Sequence, residues 1–351
     1  MSDDGQGSKK RRLLLLLTGG VVVMAIGISV VALSRLSSRR NVPASGATYR
    51  NPVYRHDAPD PSIIRAADGS FYAYTTQSPY ATGLVDIPML HSRDLVHWKF
   101  VGDAFPKLPK WVGTDMWAPH VTHFNDRYYM YYSGRNVFTG NMNIGVATAP
   151  RPTGPWRDMG HPLIQGPSFT TIDPFILSLP GNKRYLVWGS AGAPIKAQQL
   201  TPDGMHLTGE AKPLVYPSLH RDYHHLLEGA WILPHGGYYY LLASGDSCCG
   251  VSAFYAVMAW RSKKALGPYQ EDPNDPILAL NSHFTAPGHN STITDDAGQT
   301  WILYHAIRPD DPLFSRDLFL DKIDWTQGWP SINHGKGPSW RPQPAPFIKS
   351  P

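Results

Sequence analysis

This sequence has few cysteines and few charged residues for its length. Its 351 residues include only Cys248 and Cys249, which are neighbours, and charged residues make up 17%. Two adjacent cysteines provide no CxxC zinc pattern, and a bridge between neighbours says little about the redox compartment. Because hydrophobic residues still make up 42% of the chain, the low charge content excludes a mainly disordered protein.

Excess positive charge is also missing from most of the chain, although the formal net charge is +5. Residues 1–40 carry that +5 by themselves, so residues 41–351 sum to zero. A globular part without excess positive charge lacks the electrostatic footprint of a nucleic-acid-binding protein. We therefore expect no nucleic-acid partner.

The sequence has one long hydrophobic run, from residue 13 to residue 33, which follows the basic stretch Lys9–Arg12. A bilayer-spanning helix needs about 20 residues, whereas the apolar region of a signal peptide has about 7–15. The run predicts an N-terminal apolar helix that acts as a signal anchor; a cleaved signal peptide is the alternative. Residues 1–12 would then be a basic cytoplasmic tail and residues 34–49 a linker, and residues 50–351 would form an extracytoplasmic domain attached to the membrane.

Short aromatic strands recur along this domain, and most of them follow a turn rich in Gly, Asn or Asp. Their markers are Tyr72, Tyr129, Tyr185, Tyr239 and Trp301, which are separated by 57, 56, 54 and 62 residues. A repeat of that size, with several strands in each unit, is typical of a β-propeller. The pattern predicts an all-β, five-bladed β-propeller, and a two-sheet sandwich with coincidental spacing is the less favoured alternative.

Polar residues stand at a common distance before these markers. Eleven or twelve residues before each marker the sequence has Asp60, Trp117, Asp173, Glu228 and His289. Since the inner strands of a propeller line one channel, we expect these side chains to converge there. Crowded carboxylates take unlike pKa values, which is what glycoside hydrolysis requires of its acid and base.

The stretch HDAPDPSII contains two aspartates that could take part in this chemistry. Asp60 is in register with Asp173 and Glu228, whereas Asp57 lies three residues too early. We therefore predict a chemical role for Asp60 and a turn or rim position for Asp57.

The motifs PDPSI, WAPHV, IDPF, EGAW and GHNS, in this order, resemble those of glycoside hydrolase family 43, the five-bladed arabinanases, arabinofuranosidases and β-xylosidases. The resemblance covers residues 52–330. It implies an inverting mechanism with Asp60 as general base and Glu228 as general acid. Asp173 would orient the acid and raise its pKa. It also implies a polysaccharide or oligosaccharide substrate and no organic cofactor.

Within the family, GYYYLLASGDSCCG and APGHNS look most like the arabinan-degrading branch. That likeness implies a Ca²⁺ ion at the channel centre, held by His289 and largely by water. Trp117 is the best candidate for a sugar platform, while Trp231 is either a second platform or core. His120 and Asn290 complete the predicted substrate-binding set.

The motifs therefore predict a hydrolase of α-L-arabinosyl linkages. A β-xylosidase or arabinofuranosidase on xylan fragments stays open, because His120, Ala230 and Phe175 replace residues commoner in the family. A retaining fructosidase and an inactive glycan-binding propeller are further alternatives.

Overall fold

The computed structural model describes residues 46–349. Strand β1 (Thr48–Tyr49) precedes five antiparallel sheets that follow one another along the chain. The strands of the five sheets, here called blades 1 to 5, are as follows. Blade 1 has β2 (Ser62–Arg65), β3 (Phe71–Tyr74), β6 (Pro88–Ser92) and β7 (Lys99–Asp103), and the hairpin β4 (Ser78–Tyr80) and β5 (Gly83–Val85) is inserted after β3; blade 2 has β8 (Val112–Phe124), β9 (Arg127–Asn136), β10 (Met142–Ala149), β11 (Arg157–Asp158) and β12 (Ile164–Gln165); blade 3 has β13 (Phe175–Leu179), β14 (Lys183–Trp188), β15 (Ile195–Leu200) and β16 (Leu207–Val215); blade 4 has β17 (Leu227–His235), β18 (Tyr238–Ser247), β19 (Phe254–Ser262) and β20 (Gln270–Glu271); blade 5 has β21 (Thr285–Thr294), β22 (Thr300–Ile307), β23 (Arg316–Thr326) and β24 (Trp329–Ile332).

The blades form a closed ring. The first strand of each blade contacts the first strands of both neighbouring blades, so these five strands line the central channel. A separate hydrophobic core fills each of the five spaces between neighbouring blades. The core that joins the last blade to the first contains Phe71 and Leu90 of blade 1 with Leu303 and Leu320 of blade 5. The prediction of an all-β, five-bladed propeller is confirmed.

Local sequence explains why the blades form. Each aromatic marker lies on the second strand of a blade. In β9 and β18 most of this strand is buried on both faces, so it has a continuous aromatic and apolar run, residues 128–132 and 238–243, rather than an alternating pattern. The tight turn before β9 places Asn125 and Asp126 at φ 48° and 55°, a left-handed conformation that Asn and Asp tolerate better than most residues.

The chain ends also contribute to closure. Strand β1 pairs with β25 (Gln343–Pro344), after a short 3-10 helix, Asn333–Gly335. The buried Tyr49 hydroxyl donates to the carbonyl of Leu320 in blade 5 at 2.8 Å. Arg65 of blade 1 pairs with Asp296 of blade 5 at 2.6 Å. These contacts hold the first and last blades together across the closure.

The predicted signal anchor, residues 13–33, and the cytoplasmic tail before it lie outside the described residues, as does most of the predicted linker. Within residues 46–349, no helix is both long and apolar enough to cross a membrane.

Candidate active site

Each blade has a residue with left-handed backbone geometry at a matching place, which lies within the first strand or two residues before it. These residues are Asp60 (φ 55°), Ala118 (φ 45°), Asp173 (φ 62°), Gly229 (φ 59°) and His289 (φ 47°). Asp60, Asp173 and His289 are therefore equivalent positions. Trp117 and Glu228 lie one residue before the equivalent position in their blades, which the spacing from the aromatic markers did not distinguish.

The amides of the left-handed residues hold neighbouring blades together. Four of them donate to a side chain at, or just beyond, the second strand of the preceding blade: Ala118 to Thr76 Oγ1 (2.7 Å), Asp173 to Ser133 Oγ (3.0 Å), His289 to Ser244 Oγ (2.8 Å) and Asp60 to His305 Nδ1 (3.2 Å). The fifth, Gly229, donates instead to the Asp173 carboxylate at 3.0 Å. The serine at the matching place, Ser190, is free to donate to Glu228.

Asp60 is buried and surrounded by groups that favour its ionised form. Its carboxylate accepts a hydrogen bond from Thr76 Oγ1 at 2.5 Å and lies 3.3 Å from an Arg316 guanidinium nitrogen and from His289 Nδ1. Burial alone would raise the pKa of Asp60, but Arg316, followed by His289 and His305, more than offsets burial and holds the pKa well below its ordinary range. Asp60 is therefore a carboxylate at neutral pH.

Asp173 and Glu228 have the opposite tendency. Burial raises the pKa of Asp173 well above its usual range, and the nearby Glu228 and Asp60 carboxyl groups raise it further. Burial also raises the pKa of Glu228, with a contribution from Asp60, against hydrogen bonds from Ser190 Oγ at 2.5 Å and Tyr255 OH at 2.8 Å. Glu228 and Asp173 thus retain a proton under conditions in which Asp60 has lost its own, which is the division that acid–base catalysis needs.

A cavity of about 480 Å³ opens over these groups. Asp60, Asp173, Glu228 and His289 line its polar part. Trp117 lines the apolar part next to Phe169, and the two rings are nearly parallel at 6.0 Å between centroids. Such a cavity, lined by both carboxyl groups and aromatic faces, suits a sugar ring with its polar edges and apolar faces.

Several cavity residues were missed by the sequence reasoning. They are Thr76, Gln77, Phe169, Ile172, Ser190, Leu226, Asp246, the disulfide-bonded pair Cys248–Cys249, and Arg316. Arg316 begins strand β23 and reaches Asp60 across the junction of blades 5 and 1. No local sequence motif marks such a residue. The adjacent cysteines could be seen in the sequence, but the repeat did not place them at the cavity.

The remaining predicted substrate contacts lie beneath this cavity. His120, Trp231 and Asn290 line a much smaller pocket in the channel, together with parts of Asp173 and His289. The buried His120 ring meets Trp231 edge-on at 5.3 Å, and burial lowers the pKa of His120 to about 3, so its ring is neutral. The predicted contact of these three residues with a sugar stays a prediction.

Asp57 has a supporting position next to Asp60. One carboxylate oxygen accepts a hydrogen bond from Ser78 Oγ at 2.9 Å, and the other accepts one from the Arg316 backbone amide at 2.9 Å. Asp57 thus holds the strand start that presents Arg316, in line with the predicted rim or turn position.

The channel around His289 offers ligands that fit a hydrated cation. Burial lowers the pKa of His289 to about 4, despite an opposing effect of Asp60, so the imidazole is neutral and can donate a lone pair. Among residues 46–349, the buried side-chain oxygens of Asn290 and Ser291 and the Nε2 atom of His305 find no hydrogen-bond partner. A cation with water ligands would satisfy such groups.

Comparison with known proteins agrees with this geometry. The family model for "Glycosyl hydrolases family 43" matches residues 49–330. A non-reducing end alpha-L-arabinofuranosidase of Bacteroides ovatus is 29% identical over 83% of this chain, and the chain covers 55% of that protein. An extracellular endo-alpha-(1->5)-L-arabinanase of Bacillus subtilis is 26% identical over 78% of this chain and 86% of its own length.

Further relatives widen the range of named activities. A xylosidase/arabinosidase of Butyrivibrio fibrisolvens is 28% identical, and the match covers 82% of this chain and 57% of that protein. The chain thus spans little more than half the length of two of these three relatives. Among solved structures, a thermostable family-43 glycoside hydrolase superposes with a TM-score of 0.74 at 25% identity, over 86% of this chain and all of the other. With the five-bladed fold, the grouped acids and a family match from residue 49 to residue 330, this chain belongs to glycosyl hydrolase family 43.

Proposed function

We propose that this protein is an inverting glycoside hydrolase that cleaves α-L-arabinosyl linkages in arabinan or in other arabinose-containing plant polysaccharides. The observation that carries the proposal is that Asp60 and Glu228 line one cavity, in surroundings that lower the pKa of the first and raise the pKa of the second. A catalytically inactive sugar-binding propeller has no need of a protonated and an ionised carboxyl group facing the same space.

The reaction follows from the states of the two groups. Asp60, held ionised by Arg316, removes a proton from a water molecule as the water oxygen attacks the anomeric carbon. Glu228 gives its proton to the glycosidic oxygen as the bond from that oxygen to the anomeric carbon breaks. This route requires about 6.5–9.5 Å between the carboxyl groups, so that the water fits between base and substrate. The anomeric configuration is inverted because attack and departure occur on opposite faces.

Asp173 acts through its neighbours. Its carboxyl group accepts the Gly229 amide, and Gly229 directly follows Glu228 in the chain. Negative charge on Asp173 would disfavour negative charge on Glu228, so the pair retains a proton at higher pH than an isolated glutamate would. Asp173 is therefore the positioning residue that keeps Glu228 protonated.

The choice of arabinosyl substrates rests on the relatives. Both an arabinofuranosidase and an arabinanase are similar to this chain over most of its described part. A β-xylosidase or arabinofuranosidase acting on xylan fragments is the second candidate, favoured by the similarity to a xylosidase/arabinosidase.

Two further features belong to the same proposal. A Ca²⁺ ion would be held near His289, with Asn290 and water as oxygen ligands. Its positive charge would hold the nearby carboxyl groups of Asp60 and Asp173 in place on the side of the channel. The apolar segment at residues 13–33 would anchor the propeller on the outer side of the membrane, or would be removed on secretion.

Product analysis tests the proposal. Proton NMR of freshly formed products from linear arabinan and arabino-oligosaccharides should detect the inverted anomer first, with less turnover of 4-nitrophenyl β-xyloside. Asp60→Asn and Glu228→Gln should lose almost all turnover while keeping the circular dichroism spectrum of the native chain. The matched control is Asp57→Asn, which should retain activity. A retained anomer, or full activity in Asp60→Asn, would refute the mechanism; sugar binding without hydrolysis of any substrate would indicate a binding protein.

A further inference from the structure

A second group of possible ligand side chains lies at the outer edge of blade 4. His224 is in the connection that leads into β17, Glu271 is in the edge strand β20, and Asp275 is in the loop after it. One ligand atom from each lies within 4.8 Å of the other two. None of the three lines the catalytic cavity, and the proposed hydrolysis uses none of them.

The histidine ring is fixed in a form suited to metal binding. His224 is 3% exposed, and its Nδ1 atom lies 2.9 Å from the carbonyl oxygen of Asp222, which can only accept and therefore suits an Nδ1–H donor. The Nε2 atom, on the other side of the ring, faces Glu271 Oε1 at 2.8 Å. With Nδ1–H directed at a carbonyl oxygen, either a proton or a cation has to lie between Nε2 and the carboxylate oxygen. Metal-bound histidines show this same arrangement, in which the second nitrogen donates to a backbone carbonyl.

The surroundings are also rich in carboxyl groups. Glu271, Asp272 and Asp275 are close neighbours, and the cations near them are Arg221, which contacts Glu271 Oε1, and Arg261, which lies near Asp272. Both Asp275 oxygens share one donor, the Ala259 amide, at 2.9 and 3.1 Å. The oxygens therefore have remaining capacity to accept a ligand.

We propose that His224 Nε2, Glu271 and Asp275 bind one Zn²⁺ ion, with water as the fourth ligand. One imidazole and two carboxylates form a donor set that suits zinc, with bonds of about 2.0–2.2 Å. The separation of 2.8 Å between Nε2 and Oε1 is already near that of two ligands of one ion, so small side-chain rotations close the site. The Arg221 side chain is 45% exposed and turns into solvent when the ion binds.

The position of the site indicates a structural role. It ties residues 216–226, which connect blades 3 and 4, to the outer edge of blade 4. Leu226 at the end of this connection lines the catalytic cavity, and Glu228 follows two residues later. Zinc would therefore stabilise the segment that leads to the catalytic acid without taking part in the reaction.

The test uses the full chain after removal of metal, and Zn²⁺ as the probe. Isothermal titration should give one zinc ion per chain, and thermal unfolding should show a higher midpoint with ZnCl₂ that EDTA reverses. His224→Gln should weaken binding by at least about tenfold, with Asp275→Asn as the second variant if His224→Gln does not fold. The control His97→Gln removes an exposed histidine that also contacts an aspartate, Asp94 at 2.6 Å, and should bind zinc as the native chain does.

Arg221→Ala separates a zinc site from an ordinary ion-pair cluster. Loss of the competing guanidinium should tighten zinc binding several-fold. A native chain that binds no zinc, equal binding by His224→Gln and the native chain, or an Arg221→Ala variant that loses stability without gaining zinc affinity would overturn the proposal. None of these outcomes bears on hydrolysis, which is measured separately on the same samples.

Discussion

The charge of Arg316 is predicted to set the acidic limit of activity, because Arg316 is the permanent cation nearest the general base in the cavity lining. Its guanidinium nitrogen lies 3.3 Å from Asp60 Oδ1, and its side chain is only 16% exposed. Two unit charges at this separation attract by about 5 kcal/mol at an effective dielectric constant of about 20. Since the guanidinium charge is spread over the whole group, about 3–4 kcal/mol is a better measure.

The change Arg316→Met removes this charge and keeps most of the side-chain volume. Each 1.36 kcal/mol corresponds to a tenfold change in proton affinity, so the proton affinity of Asp60 should rise on the order of 10²–10³-fold. The sign follows from the native state: the pKa of Asp60 is depressed, so the active carboxylate persists to low pH and is lost only as pH falls through that depressed value. In the variant the loss begins nearer neutrality.

The assay is the pH dependence of kcat/KM on 4-nitrophenyl α-L-arabinofuranoside, which reports ionisations of the free enzyme. The acidic limb should move to higher pH while the alkaline limb, set by the proton on Glu228, moves little. The control Lys322→Met removes a half-exposed cation from the same strand, where it contacts Asp324 at 2.6 Å, and should leave both limbs in place. An acidic limb that stays fixed in Arg316→Met would refute the assignment of Asp60 as the titrating base.

Three further changes test the other parts of the site. Glu228→Gln should lower kcat about 10²–10⁴-fold on arabino-oligosaccharides, but far less on a dinitrophenyl arabinoside, whose leaving group needs no proton. Equal losses of kcat on the two substrates in steady-state assays would contradict the role of Glu228 as the acid. Asp173→Asn keeps an acceptor for the Gly229 amide but removes the second ionisable group of the pair. Glu228 then no longer meets the repulsion that arises when Asp173 ionises, so the alkaline limb of kcat/KM should move to lower pH; an unchanged limb would count against Asp173 as the residue that holds the proton on the acid. Trp117→Ala removes half of the aromatic surface shared with Phe169. It should raise KM about tenfold, a loss of roughly 1.4 kcal/mol of binding free energy, with little change in kcat. Steady-state kinetics that show a lower kcat at constant KM would exclude a simple sugar platform.

The blade architecture could be predicted because each blade repeats its own local signals. Turns such as Asn125-Asp126 and the apolar second strand after them arise from nearby residues, so a single sequence contains the whole signal. Asp60 and Asp173 were singled out by their spacing from the aromatic markers, and both have left-handed geometry at the same place in their blades. The repeat fixed the number of blades and the convergence of the acids.

Residues that reach the site from outside the repeat were not predictable. Arg316 lies 256 residues from Asp60 in the chain and meets it only because blade 5 closes against blade 1. Phe169 lies in the connection between blades 2 and 3, outside the repeated strands, and the spacing rule therefore could not find it. The one-residue offset of Glu228 was also hidden, because counting from an aromatic marker does not report where the backbone turns left-handed.

That offset explains how blade 4 can support the acid. In the other four blades the left-handed amide is satisfied by a side chain at, or just beyond, the second strand of the preceding blade, whereas the Gly229 amide turns to Asp173, just before the first strand of that blade, and Ser190 serves Glu228. Glycine suits this position twice over: its φ is 59°, and a Cβ atom there would lie 3.1 Å from the His289 ring. A larger residue would push against the histidine that faces both Asp60 and Asp173. Where each other blade has one such hydrogen bond to the preceding blade, blade 4 thus has two: one from Ser190 to the acid and one from the Gly229 amide to the Asp173 carboxyl group.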